Sequence, residues 1–306
     1  MMMNNTDLIL TEFPAIDNVT GGLKPSELVV IAGRPGMRKN AFAISIAKNN
    51  AVDEKIPTAF FSLEMSHVGL TNRLISNACN IRAGKLLRGQ LNSEDWDSLD
   101  ENINYLLDSP IFIDDTPGPT LEQIEDKIRH FVIEQGVRLV VIDYVGLIDV
   151  PNVQDRRKEL AVALDTLKKI AVEMNIVIIA VAYLYYGEEM PEIREPFLND
   201  HDEFKTIGLY ADWSLFIYRP ELYRNWETES NTCRIVISND GETQKGAVNL
   251  KYHWETKRFD NEMWDYMKKN KRDTIKVIDI TGKIDDYVTL EEFMERTSYI
   301  EKENGD

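Results

Sequence analysis

"IAGRPGMRKNAFAISIAKNN", residues 31–50, decides the fold. It joins a short apolar run, "ELVVIAG" (27–33), to a stretch of helical periodicity, "NAFAISIAKNNAV" (40–52). A buried strand, a glycine turn and a helix in that order make a phosphate-binding loop, because backbone N–H groups and the helix N-terminus both face the turn. Gly33 and Lys39 stand where G-x-x-x-x-G-K-S/T places its first glycine and its lysine. Arg34, Pro35 and Gly36 fill the turn. Two positions depart from the pattern: Arg38 replaces the second glycine, and Asn40 replaces the hydroxyl residue that ligates Mg²⁺. Arg38 puts a Cβ where the backbone bends tightly. Asn40 offers an amide at a different reach. Lys39 is then either a remaining phosphate ligand or a solvated lysine at a helix start.

The pattern repeats outward. Strands are expected at "TAFFSLE" (58–64), "PIFIDD" (110–115), "RLVVIDYVGLI" (138–148) and "IVIIAVAYL" (176–184). Between them, helices are expected at 67–80, 93–107, 120–136 and 155–175. Thr120 and Gln123 have capping-box spacing, and Gly136 ends that helix. Ser93 reads as the start of its own helix. "WSLFIYRP", "CRIVISND" and "AVNLKYHWETKRF" follow with no full helix between them and read as antiparallel strands extending the sheet. The expected fold class is α/β, a mainly parallel sheet with helices on both faces.

Residues 1–259 form the expected main domain, and 260–306 a C-terminal extension. In the extension "TIKVIDI" (274–280) reads as a strand that adds to a sheet edge. "YVTLEEFMERTSYI" (287–300) reads as a helix capped by Thr289 with an apolar stripe through Leu290, Phe293, Met294 and Thr297. Together they are expected to dock.

Composition narrows the function. The 306 residues carry a net charge of −17. Residues 260–306 hold 13 acidic and 8 basic side chains, so most of the acidity lies in the main domain. Such a field opposes nucleic acid except through a local basic loop. Arg156, Arg157 and Lys158 form one such cluster, which is either a weak single-stranded DNA contact or the solvated start of a helix. "YLYY" (183–186) is either a base-stacking platform or core. No apolar run reaches 18 residues and the first ten residues do not read as a signal peptide, so no membrane span is expected and the cytoplasm is the expected location. Cys79 and Cys233 are expected to be buried thiols, and with four scattered histidines they suggest no metal site.

Beyond the loop, "FFSLEMS", "RLISNACNI", "LRGQLNSEDWDSL", "PIFIDDTP", "VVIDYVGLI" and "YADWSLFIYRP" stand in one order and spacing. From about Thr11 to Phe259 the chain resembles the C-terminal ATPase domain of DnaB-type replicative helicases. The resemblance implies a RecA-like P-loop NTPase fold, ATP and Mg²⁺ as family cofactors, and hexameric rings that unwind DNA. It implies that Glu64 matches the glutamate that polarises the attacking water, and that Asp143 matches the Walker B aspartate. Other matched positions are changed. Gly146 and Tyr183 stand where the family has glutamines. Asp202 and Lys205 replace an arginine and a glycine. Asn239 and Gly241 stand at the lysine and arginine that reach the next subunit's γ-phosphate, with Lys245 four residues away. The family's N-terminal helical domain and linker helix have no counterpart in the sequence, which disfavours the hexamer. The expectation is therefore a degenerate ATP site, with Glu64 and Asp143 as remnants of it. The protein would act by binding a replicative helicase, another replication protein or its own kind. Two alternatives stay open: an active ATP-dependent helicase, and a nucleotide-binding switch without turnover.

Overall fold

The computed structural model describes residues 8–151, 153, 155–184, 202–219, 231–239, 243–261, 274–278 and 284–289. Side chains are described except at 202–204, 243, 244, 261 and in the last two segments. The chain divides into two compact units, Met1–Asn261 and Glu262–Asp306.

A nine-stranded sheet organises the first unit, in the order β3-β2-β4-β5-β1-β6-β7-β8-β9. Its parallel part comprises β1 (Leu28–Gly33), β2 (Thr58–Ser62), β3 (Ile111–Asp114), β4 (Leu139–Asp143), β5 (Val177–Tyr183) and β6 (Trp213–Tyr218). β7 (Thr232–Asn239), β8 (Thr243–His253) and β9 (Arg258–Asn261) continue it antiparallel. β1 lies between β5 and β6, is buried along its whole length, and sends alternate side chains to two cores. Val29 and Ile31 join the core under α1 (Pro14–Thr20), α2 (Lys39–Lys48) and α3 (His67–Ala78). Leu28, Val30 and Ala32 join the core on the other face. There they meet α6 (Leu121–Gln135), α7 (Arg156–Met174) and α8 (Asp202–Tyr210). The short α4 (Ala83–Arg88) and α5 (Ser93–Leu107) complete the helices.

Local signals set most boundaries. Thr120 and Gln123 close a capping box on α6, and Gly136 takes the left-handed conformation at its end. In α5 the cap is Asn92, boxed with Asp95, so Ser93 is already helical. The α2 helix loosens into a π-helical turn over Asn49–Asp53. Asp212 braces the start of the sheet: its carboxylate accepts from Leu28 N at 2.7 Å and from Lys168 Nζ at 2.7 and 2.8 Å.

Three expectations change. "WSLFIYRP" lies parallel to β1, because α8, unread in the sequence, reverses the chain before it. "AVNLKYHWETKRF" is no single strand: His253 ends β8 and Arg258 begins β9, with Lys257 at φ +56° in the turn between. In the second unit β10 (Thr274–Ile278) pairs with β11 (Ile284–Thr289) as a two-stranded sheet. Residues 287–289, read as the helix start with Thr289 its cap, thus end a strand; Tyr287, Val288 and Thr289 are good strand formers and pairing with β10 satisfies them. The remainder of that expected helix lies outside the described residues. Cys79 and Cys233 are buried and unbridged. Among the described residues no helix is long and apolar enough to cross a membrane.

Phe42 of α2 is fully buried, and its ring stands 5.3 Å from both Phe13 and Phe259, tying α2 to the segment before α1 and to β9. Phe42→Ala is expected to destabilise the main unit by about 3–5 kcal/mol. Urea unfolding checks this, and a loss below about 1 kcal/mol would contradict it.

Candidate functional site

The parallel strands end side by side, and open α/β sheets place ligands at those ends. Register brings Gly33 opposite Tyr183 and Ser62 opposite Asp143. Glu64 follows two residues beyond Ser62. The loop, Glu64, Asp143 and Tyr183 therefore meet in space although they are far apart along the chain.

Gly33 closes β1; a Cβ there would come within 3.0 Å of the Ile217 carbonyl, so the turn needs glycine at its start. Arg34, Pro35 and Gly36 make the turn, with Gly36 at φ +84°. Arg38 caps α2 at φ +70° and ψ 28°, in the left-handed region. The backbone thus keeps the glycine conformation with arginine in it, at a cost of about 1–2 kcal/mol. Its guanidinium sits 4.4 Å from the centre of the Trp254 ring. A cation over an indole returns about 0.5–2 kcal/mol.

Lys39 and Asn40 open α2. Lys39 is only 1% exposed, so the solvated-lysine reading fails. Its ammonium donates to the Arg34 carbonyl at 2.9 Å and lies 3.7 Å from the centre of the Tyr183 ring. The Tyr183 hydroxyl donates to Glu64 Oε2 at 3.2 Å, and the Asn40 amide donates to the same oxygen at 2.7 Å. Tyr183 is therefore neither solvent platform nor plain core: it covers the loop lysine and ties down the glutamate. Tyr185 and Tyr186 lie outside the described residues. Gly146 makes room for a second ring, since a Cβ there would meet Tyr144 at 2.9 Å and Arg156 at 3.1 Å. Tyr144 and Tyr183 pack edge to face with centres 4.4 Å apart.

Asp143 is fully buried, and neither carboxylate oxygen meets a hydrogen-bond donor; the Asn40 amide nearby is given to Glu64. Burial first, then the Glu64 charge, push its pKa up to about 7 against the pull of Arg73, Asn40 and Lys39. Burial pulls Lys39 down to about 7, against Asp143 and Glu64.

A cavity of about 240 Å³ opens beside this cluster, lined among others by Arg38, Asn40, Glu64, Arg73, Tyr183 and Lys257. Arg219 stands behind it, 4.4 Å from the centre of the same Trp254 ring, and donates to the Gly36 carbonyl at 3.2 Å. Arg73, Arg219, Trp254 and Lys257 escaped the sequence reading. The basic and aromatic alternation of "KYHWETKRF" was the available signal.

Mg²⁺ suits this residue set poorly. It seeks oxygen ligands, yet Asn40 presents its N–H side to Glu64 and three cations line the same cavity. The bare Asp143 oxygens would suit a cation, but Arg73 and Lys39 already supply positive charge there. Among the described residues no group of three or more His, Cys, Asp and Glu is placed to hold a metal ion.

Other expected sites stand apart. Arg156, Arg157 and Lys158 open α7, where the Asp155 carboxylate caps the helix by accepting from the backbone N–H groups of Arg157 and Lys158. Arg156 turns toward Gly146. Asn239 ends β7 and Lys245 lies on β8, while Gly241 is outside the described residues. Asp202 and Lys205 lie in α8.

Residues 9–261 match the family model for the DnaB-like helicase C terminal domain. Replicative DNA helicase DnaB of Buchnera aphidicola subsp. Baizongia pistaciae is 35% identical over 256 residues, 83% of this chain and 55% of that protein. Replicative DNA helicase DnaC of Bacillus subtilis is 34% identical over 255 residues, 83% and 56% of the two chains. The chain thus spans about half the length of the curated relatives it matches. Among solved structures, a DnaB-like replicative helicase studied for its interactions with primase superposes with a TM-score of 0.75 at 33% identity, covering 83% of this chain and 63% of that one. A solved ATPase domain gives the same score and identity over 83% and 90%.

The raised Asp143 pKa has a measurable sign. The folded state holds this proton more tightly than the unfolded state, so the associated stability is whole below about pH 4 and is lost as pH rises through about 7. Asp143→Asn, which cannot ionise, is expected to be more stable than the parent at pH 8 by on the order of 1–3 kcal/mol, with the gain fading at about pH 4.5. Lys39 titrates in both proteins and largely cancels. Equal differences in urea unfolding at the two pH values would contradict this.

Proposed function

The chain belongs to the DnaB-like helicase C terminal domain family, and from that premise we propose that it is a helicase-type domain that does not turn ATP over and works by binding. One observation carries the reading: the Tyr183 ring lies 3.7 Å from the Lys39 ammonium while its hydroxyl holds Glu64. A lysine that should meet phosphate is covered, and a glutamate that should orient water is committed to Tyr183 and Asn40. Gly33, Arg34, Pro35, Gly36, Lys39 and Asn40 keep the shape of a phosphate loop, with Glu64 and Asp143 as remnants of the catalytic pair. The replacements at Asn239 and Gly241 remove the cations that would stabilise transferred charge in a neighbouring subunit, an effect worth about 10³–10⁵ in rate.

The partner we propose is a replicative helicase, another replication protein or a second copy, acting in the cytoplasm. The unit Glu262–Asp306 is proposed as the docking element. A hexameric ring is disfavoured by the loss of the trans cations. A second reading, a nucleotide-binding switch without turnover, is favoured by the cationic cavity at Arg38, Arg73 and Lys257.

Two measurements test this. Phosphate release from Mg-ATP is expected to stay near background with or without single-stranded DNA; turnover on the order of 1–10 s⁻¹ would restore the active-helicase reading. Binding to single-stranded DNA is expected to be weak and salt-sensitive, since the chain carries −17 and the exposed cluster of Arg156, Arg157 and Lys158 is small. Replacing Arg156, Arg157 and Lys158 with Ala should remove most of it and flatten the salt slope by up to about three contacts. Tight DNA binding at physiological salt, unaffected by those changes, would argue against the proposal.

A further inference from the structure

The cationic half of the cavity is not explained by a silenced loop. This chain has a net charge of −17, yet Arg38, Arg73 and Lys257 line one cavity of about 240 Å³, with Arg219 behind them. Among the described residues no salt bridge joins Arg38, Arg73 or Lys257 to a carboxylate, although Arg82, Arg258 and Lys85 nearby in sequence or space all have such partners. The Arg38 Nε is buried and without an acceptor. The three cations press on one another: after burial, the Arg38 and Arg73 charges are what lower the Lys257 pKa. Trp254 holds the group in place, with the Arg38 and Arg219 guanidiniums each 4.4 Å from its ring centre and Lys257 Nζ at 5.5 Å. Arg38, Arg73 and Lys257 outnumber Glu64, the carboxylate that lines the cavity with them, and such an excess of positive charge is completed by an anion.

The surroundings define that anion. Glu64 also lines the cavity, but Oε2 already accepts from Asn40 and Tyr183. Lys39 is behind the Tyr183 ring and bonded to its own loop. A divalent metal is unsuited, since three cations line the space it would occupy. A compact, highly charged anion matches three cations in a space of this size.

We propose that the cavity binds a polyphosphate chain, inorganic or at the end of a nucleotide, without a divalent cation. Arg38, Arg73 and Lys257 hold the phosphates, and Lys39 is kept out of contact by Tyr183. This rests on the reading of a site that binds without turnover. It differs from the usual mode of a phosphate loop, in which the loop lysine and Mg²⁺ do the holding.

Calorimetric titration of the full chain with sodium tripolyphosphate and with ATP, each in EDTA and in excess Mg²⁺, tests it. Both anions are expected to bind in EDTA at least as tightly as in Mg²⁺, which would compete for their charge. Arg73→Ala and Lys257→Ala, checked for folding by circular dichroism, should each weaken binding about tenfold or more, and Lys39→Ala by less than about threefold. Equal affinity for the two anions assigns the inorganic chain, and ATP tighter by more than about tenfold assigns a nucleotide; both support the site. Binding only with Mg²⁺, no binding in EDTA, or loss on Lys39→Ala with Arg73→Ala and Lys257→Ala unaffected would overturn it. A thymidine oligomer that binds more tightly than tripolyphosphate would overturn it in favour of nucleic acid. Phosphate release from Mg-ATP, measured alongside, separates the two claims: turnover with intact metal-free binding defeats only the no-turnover reading.

Discussion

The candidate site is built around the turn that carries β1 into α2, and that turn depends on a left-handed backbone at residue 38. Glycine would occupy it without strain. Arginine holds the same φ of +70° because its side chain is anchored on Trp254. What changes is the character of the site: a position that would let phosphate approach bare backbone now carries a cation supported from β8 and the turn after it.

The same logic runs through the buried charges. Lys39 and Asp143 are almost wholly buried, where a charge is costly. Tyr183 offers the ammonium a ring face and gives its hydroxyl to Glu64. Asp143 has no donor of its own, so burial moves its titration toward neutrality. Gly146 completes the arrangement by leaving room for Tyr144 beside Tyr183. A glutamine at that position would collide with the ring. Asn40, Gly146 and Tyr183 therefore belong to one packed unit, in which each residue accommodates the next.

The likeness to replicative helicases covers residues 9–261 at about one-third identity. Glu64 and Asp143 hold their places there because β2 and β4 are intact and in register.

The sequence determined the alternation of strands and helices, the caps of α6, the phosphate-loop turn and the family resemblance. All of these follow from residues close together in the chain or from the spacing of apolar positions. It also pointed to Glu64, Asp143 and Tyr183, through the resemblance of the runs that carry them to the motifs of a known family. Tertiary structure alone decided the direction of β6, since pairing with β1 depends on α8 before it and not on the strand's own pattern. It alone showed Lys39 under Tyr183 and the meeting of Arg38, Arg73 and Lys257 around one cavity. Those three cations come from a loop, a helix and a hairpin turn spread over most of the main unit. No local periodicity encodes such a meeting; only the packing of α3 and β8 beside the loop produces it, because charges sum by distance in space and not along the chain.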